Sequence, residues 1–256
     1  MKKNILLVEI GTNKKTYFYL ENFKDRNFIS TNKGNILLKD IHEVEWGGIV
    51  ETHKGFKYRV SPVSIVDFVL YGIERETQII YPKDAGYILI KLNLKSGDKV
   101  FECGTGSGAL TMFMANCVKE KGVVFTYEKR ERFLKIAERN LKKMDLIDYV
   151  RLNLKDLENE DIEEKEFDAA FLDTREPWKL IGKVEEILKS GKNLGILVPT
   201  VNQVVNILKE LENRNFYDIS VKEIFLRDYK TVYERLRPED RMVAHTGYLI
   251  FATKGS

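Results

Sequence analysis

The sequence predicts an α/β fold. The expected form is a mainly parallel sheet wrapped by helices, ending in an antiparallel strand pair and preceded by a small β domain. Three observations predict it. From residue 98 onward, short apolar strands alternate with amphipathic helices, the pattern of a parallel sheet covered on both faces. The first of those strands runs into Gly104-Thr105-Gly106-Ser107-Gly108, a glycine turn between strand and helix. Residues 1–60 carry short apolar runs cut by turn signals, which suits a small barrel or meander.

Within residues 1–60, strands are expected at Asn4–Glu9, Thr16–Leu20 and Asn35–Leu38. Gly11-Thr12-Asn13, Asn32-Lys33-Gly34 and Gly47-Gly48 supply the turns. Residues 61–97 read as a helical linker segment. Ser61-Pro62 opens one helix that runs through Tyr71, and Pro82-Lys83-Asp84 opens another through Leu92. Residues 98–256 form the Rossmann-like domain. Its strands are Asp98–Glu102, Val123–Tyr127, Tyr149–Leu152, Ala169–Leu172 and Leu194–Val198. Its helices are Ala109–Val118, Glu131–Met144, Trp178–Leu188 and Val201–Leu211. Two consecutive strands, Ile219–Phe225 and Gly247–Ala252, break the alternation and form the antiparallel pair.

Composition narrows the function. The 256 residues are 43% hydrophobic, enough for a full core and unlike a disordered tail. No run approaches the ~20 apolar residues needed to cross a bilayer, and the start is too polar for a signal peptide. Two cysteines, Cys103 and Cys117, exclude a disulfide scaffold and a four-thiolate zinc site; neither a metal nor a membrane partner is expected. A cytoplasmic enzyme is expected. Glutamine occurs only at Gln78 and Gln203, against abundant Lys and Glu, a thermophile's lean. The net charge of +3 is uneven: residues 1–60 hold eleven basic and seven acidic residues, and the rest nets to −1. Local fields matter more than the total for a nucleic-acid partner.

The glycine turn also fits a dinucleotide fingerprint as Gly104-x-Gly106-x-x-Ala109. Alone it does not separate an NAD site from an S-adenosylmethionine site. Two acids shift the balance. Glu102 precedes the glycines, where it would repel a pyrophosphate but can pair with a ligand ammonium. Glu128 ends the second strand, where a carboxylate accepts ribose hydroxyls. Asp156 follows the third strand, within reach of an adenine amino group, but it also begins an acidic stretch that reads as a solvated face. Asp173 ends the fourth strand, where a doubly wound sheet places its chemistry, or it caps the next turn.

Further motifs complete a resemblance. These are Thr77-Gln78-Ile79-Ile80-Tyr81-Pro82-Lys83-Asp84, the glycine turn through Ala109-Leu110-Thr111, Tyr127-Glu128-x-Arg130, Asp173-x-x-Glu176-Pro177-Trp178, and Arg237-Pro238 with Arg241 through His245-Thr246-Gly247. Over nearly its whole length the chain resembles the tRNA (adenine-N1)-methyltransferases of the TrmI family, a class I methyltransferase branch. The resemblance implies S-adenosylmethionine as cofactor, S-adenosylhomocysteine as product, a homotetramer, and methylation of adenine 58 in the tRNA T-loop. Archaeal members also modify position 57. It carries a catalytic role onto Asp173 and a cofactor role onto Gln78, Gly104, Gly106, Ser107, Gly108, Glu128, Asp156 and Asp173; Ala109 and Leu110 continue that motif. Thr174-Arg175 departs from the usual apolar or Pro-containing pair. Some relatives carry intersubunit disulfides; Cys103 and Cys117 read as buried, so none is expected here.

The chemistry fits these residues. Adenine N1 needs no deprotonation, and a carboxylate accepting from N6 stabilises the charge that develops. The target base must leave its stack, and Tyr81, Trp178 and His245 are candidates for its pocket. Trp178 reads equally as a core aromatic, and His245 as structural. Lys54, Lys57 and Arg59 are candidate phosphate contacts. The basic helix after the second strand reads instead as a solvated face with Glu131–Lys135 and Glu138–Lys142 pairs. Arg235, Arg237 and Arg241 form a third basic group. Competing readings are a class I enzyme acting on protein isoaspartate or a small molecule, a non-catalytic tRNA-binding subunit, and an NAD dehydrogenase.

Overall fold

The structure is a computed structural model that describes residues 2–256. The chain divides into two compact units, the break falling between Glu74 and Arg75.

The first unit contains β1 (Asn4–Glu9), β2 (Lys15–Tyr19), β3 (Phe28–Thr31), β4 (Gly34–Leu37), α1 (Leu38–Glu43), β5 (Ile49–Glu51), β6 (Lys57–Ser61) and α2 (Ile65–Tyr71). Four strands make an antiparallel sheet in the order β2-β1-β6-β5, and β3 and β4 form a separate hairpin. The alternating residues of these short strands meet in one core, with Ile5, Leu7, Ile29, Ile36, Tyr58 and Val60 buried. Helix α2 starts at a capping box on Ser64 and Asp67, which satisfies its free N-terminal donors. It packs against β2: the Phe68 and Tyr17 rings meet edge to face at 5.3 Å, and Asp67 pairs with Lys15 at 2.9 Å. Residues 61–97 are therefore not one linker. Apolar packing assigns α2 to the first unit, and the helix opened by Pro82 belongs to the second.

The second unit contains α3 (Pro82–Lys91), β7 (Lys99–Cys103), α4 (Ala109–Val118), β8 (Val123–Glu128), α5 (Glu131–Lys143), β9 (Val150–Leu154) and β10 (Phe167–Leu172). It continues with α6 (Ile181–Ile187), β11 (Leu188–Val198), α7 (Val201–Glu212), β12 (Phe216–Lys222), β13 (Tyr229–Lys230), β14 (Arg237–Pro238) and β15 (Tyr248–Lys254). Seven strands form one sheet in the order β12-β15-β11-β10-β7-β8-β9. Strands β7 to β11 pair in parallel, in the order β11-β10-β7-β8-β9, and β15 runs antiparallel to both β11 and β12. The predicted α/β class and terminal antiparallel pair are what is observed. No helix among the described residues is long and apolar enough to cross a membrane.

Two expectations change. The helix expected at Trp178–Leu188 is a 3-10 turn, Pro177–Leu180, followed by α6. Leu188 instead begins β11, which passes through the polar run Lys189-Ser190-Gly191-Lys192. That run is held by charge, since Lys189 and Lys192 reach Asp168 at 2.9 and 3.2 Å. Cys117 is half-buried and Cys103 buried; both are free thiols.

Segment 226–246 is mainly irregular, with β13 and β14 paired inside it. Its ends are fixed to α3 by a nearly buried network. Lys83 Nζ donates to Asp84 Oδ1 at 2.9 Å, Thr246 Oγ1 at 2.7 Å and the Ile224 carbonyl at 2.7 Å. Thr246 donates to Asp84 Oδ2 at 2.8 Å. A buried ion pair is tolerable when such bonds satisfy its remaining groups, which explains why Lys83, Asp84 and Thr246 occur together.

Candidate active site

Strand register builds the site. Cys103 of β7 lies opposite Tyr127 of β8 on one side and Leu172 of β10 on the other. The next residues, Gly104, Glu128 and Asp173, therefore leave the sheet side by side at its carboxyl edge. Glu128 in turn pairs with Leu154 of β9, so Asp156 emerges one strand further along. Carboxyl ends of parallel strands are where such sheets form their crevices.

The glycine turn is tightly braced. Gly104, Gly106 and Gly108 have φ of +103°, +54° and +80°, a region that L side chains avoid. Gly104 passes under the neighbouring turn: a Cβ there would lie 2.0 Å from the Asp173 carbonyl oxygen. The Gly106 N–H donates to Glu128 Oε2 at 3.1 Å, Asn140 Nδ2 donates to the Ser107 carbonyl at 2.9 Å, and the Thr105 and Thr126 hydroxyls meet at 2.6 Å.

A cavity of about 570 Å³ opens beside this turn. It is lined by six of the expected residues: Gln78, Gly104, Gly106, Glu128, Asp156 and Asp173. Glu128 Oε1 accepts from the Arg130 backbone N–H and Nε, both at 3.1 Å. Each carboxylate oxygen offers about two lone-pair sites, so Oε2, holding only the Gly106 N–H, retains one. Asp156 is partly engaged by its own turn, accepting from the Glu158 N–H and Asn159 Nδ2, both at 3.2 Å. Asp173 is half-buried, and its carboxylate accepts no hydrogen bond from the described residues. Burial, with a smaller contribution from the nearby Glu128 charge, pushes its pKa up to about 6. The Cys103 thiol also lines the cavity, and burial raises its pKa strongly; it is no thiolate nucleophile.

Other expected residues lie elsewhere. Glu102 does not line the cavity: it is buried behind the turn, where Thr111 of α4 donates to it at 2.6 Å. Burial raises its pKa to about 7. Strand β7 is covered on both faces, so the sequence does not tell which face Glu102 takes. Ser107, Gly108, Ala109 and Leu110 support the turn without lining the cavity; the space outside Gly108 is filled by Ala137 of α5. Tyr81 caps α3 and accepts from Gln78 Nε2 at 3.2 Å, so it touches the wall only through Gln78. Trp178 packs against the sheet core. His245 is exposed; Nδ1 faces Glu223 Oε1 at 2.6 Å and Nε2 faces the Pro199 carbonyl at 3.0 Å. Its pKa is raised, chiefly by Glu223, as suits an imidazolium donating from both nitrogens.

The sequence reading missed Thr77, Leu157, Leu180, Pro199 and Gln203, which also line the cavity. They come from four separate segments, and only Thr77, beside Gln78, lay within a motif. No group of three or more His, Cys, Asp or Glu able to hold a metal ion occurs among the described residues. The predicted Glu131–Lys135 and Glu138–Lys142 pairs form on α5, at 2.7 and 2.5 Å.

A seven-stranded sheet with this strand order, a glycine turn after β7, a carboxylate after β8 and another after β10 defines a class I methyltransferase domain. A family model described as the tRNA methyltransferase complex GCD14 subunit matches residues 68–240. The tRNA (adenine(58)-N(1))-methyltransferase TrmI of Thermus thermophilus is 34% identical over 91% of each chain. The crystal structure of tRNA (m1A58) methyltransferase TrmI from Aquifex aeolicus is 39% identical with a TM-score of 0.85, covering 99% of this chain and 97% of that one. A Thermotoga maritima structure described as a SAM-dependent O-methyltransferase is 41% identical with a TM-score of 0.93, covering 100% and 95%. The chain belongs to the TrmI family of tRNA (adenine-N1)-methyltransferases.

Proposed function

We propose that this protein methylates N1 of adenine 58 in the T-loop of tRNA, using S-adenosylmethionine. The observation that carries this reading is the placement of Glu128 and the unbonded Asp173 carboxylate on either side of one glycine turn, in one cavity. The residues present fit that cofactor: the left-handed glycines leave room for close approach, and Glu128 keeps a free lone pair for a ribose hydroxyl. Gln78, Gly104, Gly106, Glu128 and Asp156 would hold it. Once bound, it supplies a methyl group on a sulfonium centre.

The chain's own residues then orient and stabilise. Adenine N1 carries its lone pair at neutral pH, so no general base is needed. Asp173, as a carboxylate, accepts from the exocyclic N6 amino group. That bond fixes the base edge and stabilises the positive charge of the methylated ring. The exposed Lys54 and Lys57 offer phosphate contacts; Arg59 is already committed to the Gly47 carbonyl at 2.8 Å. The reading also includes a homotetramer, supported by Phe225, Leu226, Tyr233, Leu236 and Val243, which lie exposed in one segment; light scattering reads it directly. Such an enzyme works where tRNA is, in the cytoplasm.

Incubation with labelled S-adenosylmethionine and unmodified tRNA tests the activity. Label is expected in 1-methyladenosine at position 58, with position 57 read in the same digest; label confined to protein or small molecules would sink the reading. Glu128→Gln is expected to weaken S-adenosylhomocysteine binding about 10- to 100-fold, the loss of a charge-assisted hydrogen bond. Titration calorimetry showing unchanged affinity would remove Glu128 from the ribose.

A further inference from the structure

Four cations line the cavity, and three of them are already paired. Lys129 lies 3.7 Å from Glu158, Arg130 3.1 Å from Glu128, and Lys155 2.8 Å from Glu163. The fourth, Arg175, is exposed, and among the described residues its guanidinium makes no hydrogen bond and no ion pair. The adjacent acid, Glu176, is held by Lys179 at 2.6 Å. The backbone beneath Arg175 is pinned. Its carbonyl accepts from Gln203 Nε2 at 3.0 Å, and Gln203 Oε1 accepts from the Thr200 hydroxyl at 2.8 Å, at the start of α7. A free guanidinium on a fixed backbone is a ready donor to an anion, and its fork matches phosphate.

Sheet order says which anion. Strands β8 and β9, which deliver Glu128 and Asp156, lie on one side of β7; β10 and β11, which lead to Arg175 and Gln203, lie on the other. Gly104 stands between them, and Asp173, directly after β10, lies on the side of Arg175. Glu128 and Asp156, both on the cofactor side, thus occupy one half of the cavity, and Arg175 belongs to the other, from which a base must approach Asp173. A nucleotide whose base edge reaches Asp173 keeps its phosphates at the rim, because Glu128, Asp156 and Asp173 repel them from the floor.

We infer that Arg175 binds a phosphate flanking the target adenosine, anchoring the extruded nucleotide. The inference rests on the tRNA reading above. It also gives a role to the residue at which this chain departs from the apolar or proline-containing pair expected before Glu176-Pro177-Trp178.

The test uses full-length tRNA assembled with a neutral methylphosphonate link on the 5′ or the 3′ side of the target adenosine. Wild type and Arg175→Gln are compared on charged and neutral substrates. With charged tRNA, Arg175→Gln is expected to raise KM about tenfold, more than it lowers kcat. The slope of log affinity against log salt is expected to fall by about one. Affinity for S-adenosylhomocysteine should not change. One of the two neutral links should cost wild type a similar factor and cost Arg175→Gln nothing further, while Arg175→Lys recovers part of the salt slope. Additive losses, an unchanged KM, or weakened S-adenosylhomocysteine binding in place of weakened tRNA binding would overturn the inference. If wild type transfers no methyl to tRNA at all, the underlying reading falls and takes this one with it. A thermal melt confirms that the exposed substitution leaves the fold intact.

Discussion

Asp173→Ala is expected to lower kcat/KM for tRNA about 10²- to 10³-fold, the usual cost of deleting one preorganised electrostatic partner of a developing charge. Binding of S-adenosylhomocysteine should persist, because Glu128 and the glycine turn remain. The pH dependence follows from the raised pKa. The ionised carboxylate is the working form, so wild-type kcat/KM should fall as pH drops through about 6, and Asp173→Asn should lose that limb. Stability runs the other way. A carboxyl group that titrates near 6 when folded favours its neutral form, so its stabilising contribution is full below the unfolded value of 3.8 and is lost as pH rises through 6. At pH 7 the wild type therefore carries a penalised charge. Asp173→Asn should melt no lower than wild type, even as it turns over more slowly. A melt well below wild type, or near-normal turnover in Asp173→Ala, would contradict this account.

Gly104→Ala is expected to be the most damaging small substitution in the turn. The added Cβ would sit 2.0 Å from the Asp173 carbonyl oxygen and 2.8 Å from its carbon, at a φ of +103°. A left-handed alanine alone costs about 1–2 kcal/mol, which corresponds to a melting-point loss of roughly 2–8 °C in a unit of this size. The neighbouring backbone must then also shift, and it is the backbone that aims Asp173. Methyl transfer should fall at least as far as in Asp173→Ala. Gly106→Ala is the control. It shares a positive φ, but its Cβ would come only to 3.4 Å from the Thr77 hydroxyl. Its loss of activity should be smaller. Equal activity for both variants would show that the close approach to Asp173 is not what matters.

Much of the second unit was legible because periodicity and sheet physics agree there. Helix α4 falls on its expected bounds, Ala109–Val118, and each expected parallel strand is present within a few residues, apart from the long polar start of β11. The first unit was less legible. Strands β3, β5 and β6 are three to five residues long, with only one or two buried side chains each, too short for alternation to stand out. Helix α2 carried a clear capping signal at Ser64 and Asp67 but no sign of its tertiary partner. At the site, residues that follow strands by fixed offsets were found: Gly104, Glu128, Asp156 and Asp173. Residues that arrive from other segments were not; Gln203 reaches the cavity only because α7 begins where β11 ends. Glu102 was misplaced because a strand buried on both faces gives no polarity pattern to orient a single acid. Trp178 and Tyr81 were candidates by nearness in sequence; Trp178 packs against the core, the alternative its position also allowed, and Tyr81 caps α3.

The levelled ends of β7, β8 and β10 set how this chain can tolerate changes in length. Each residue of a strand advances about 3.3 Å and reverses the facing of its side chain. One residue gained or lost inside any of the three would carry Gly104, Glu128 or Asp173 out of line with the other two and turn it to the wrong side. The connections that follow, such as the acidic run after Asp156 or the segment between β12 and β15, have no such constraint. Insertions and deletions in working homologues should therefore collect in those connections and spare the three strands.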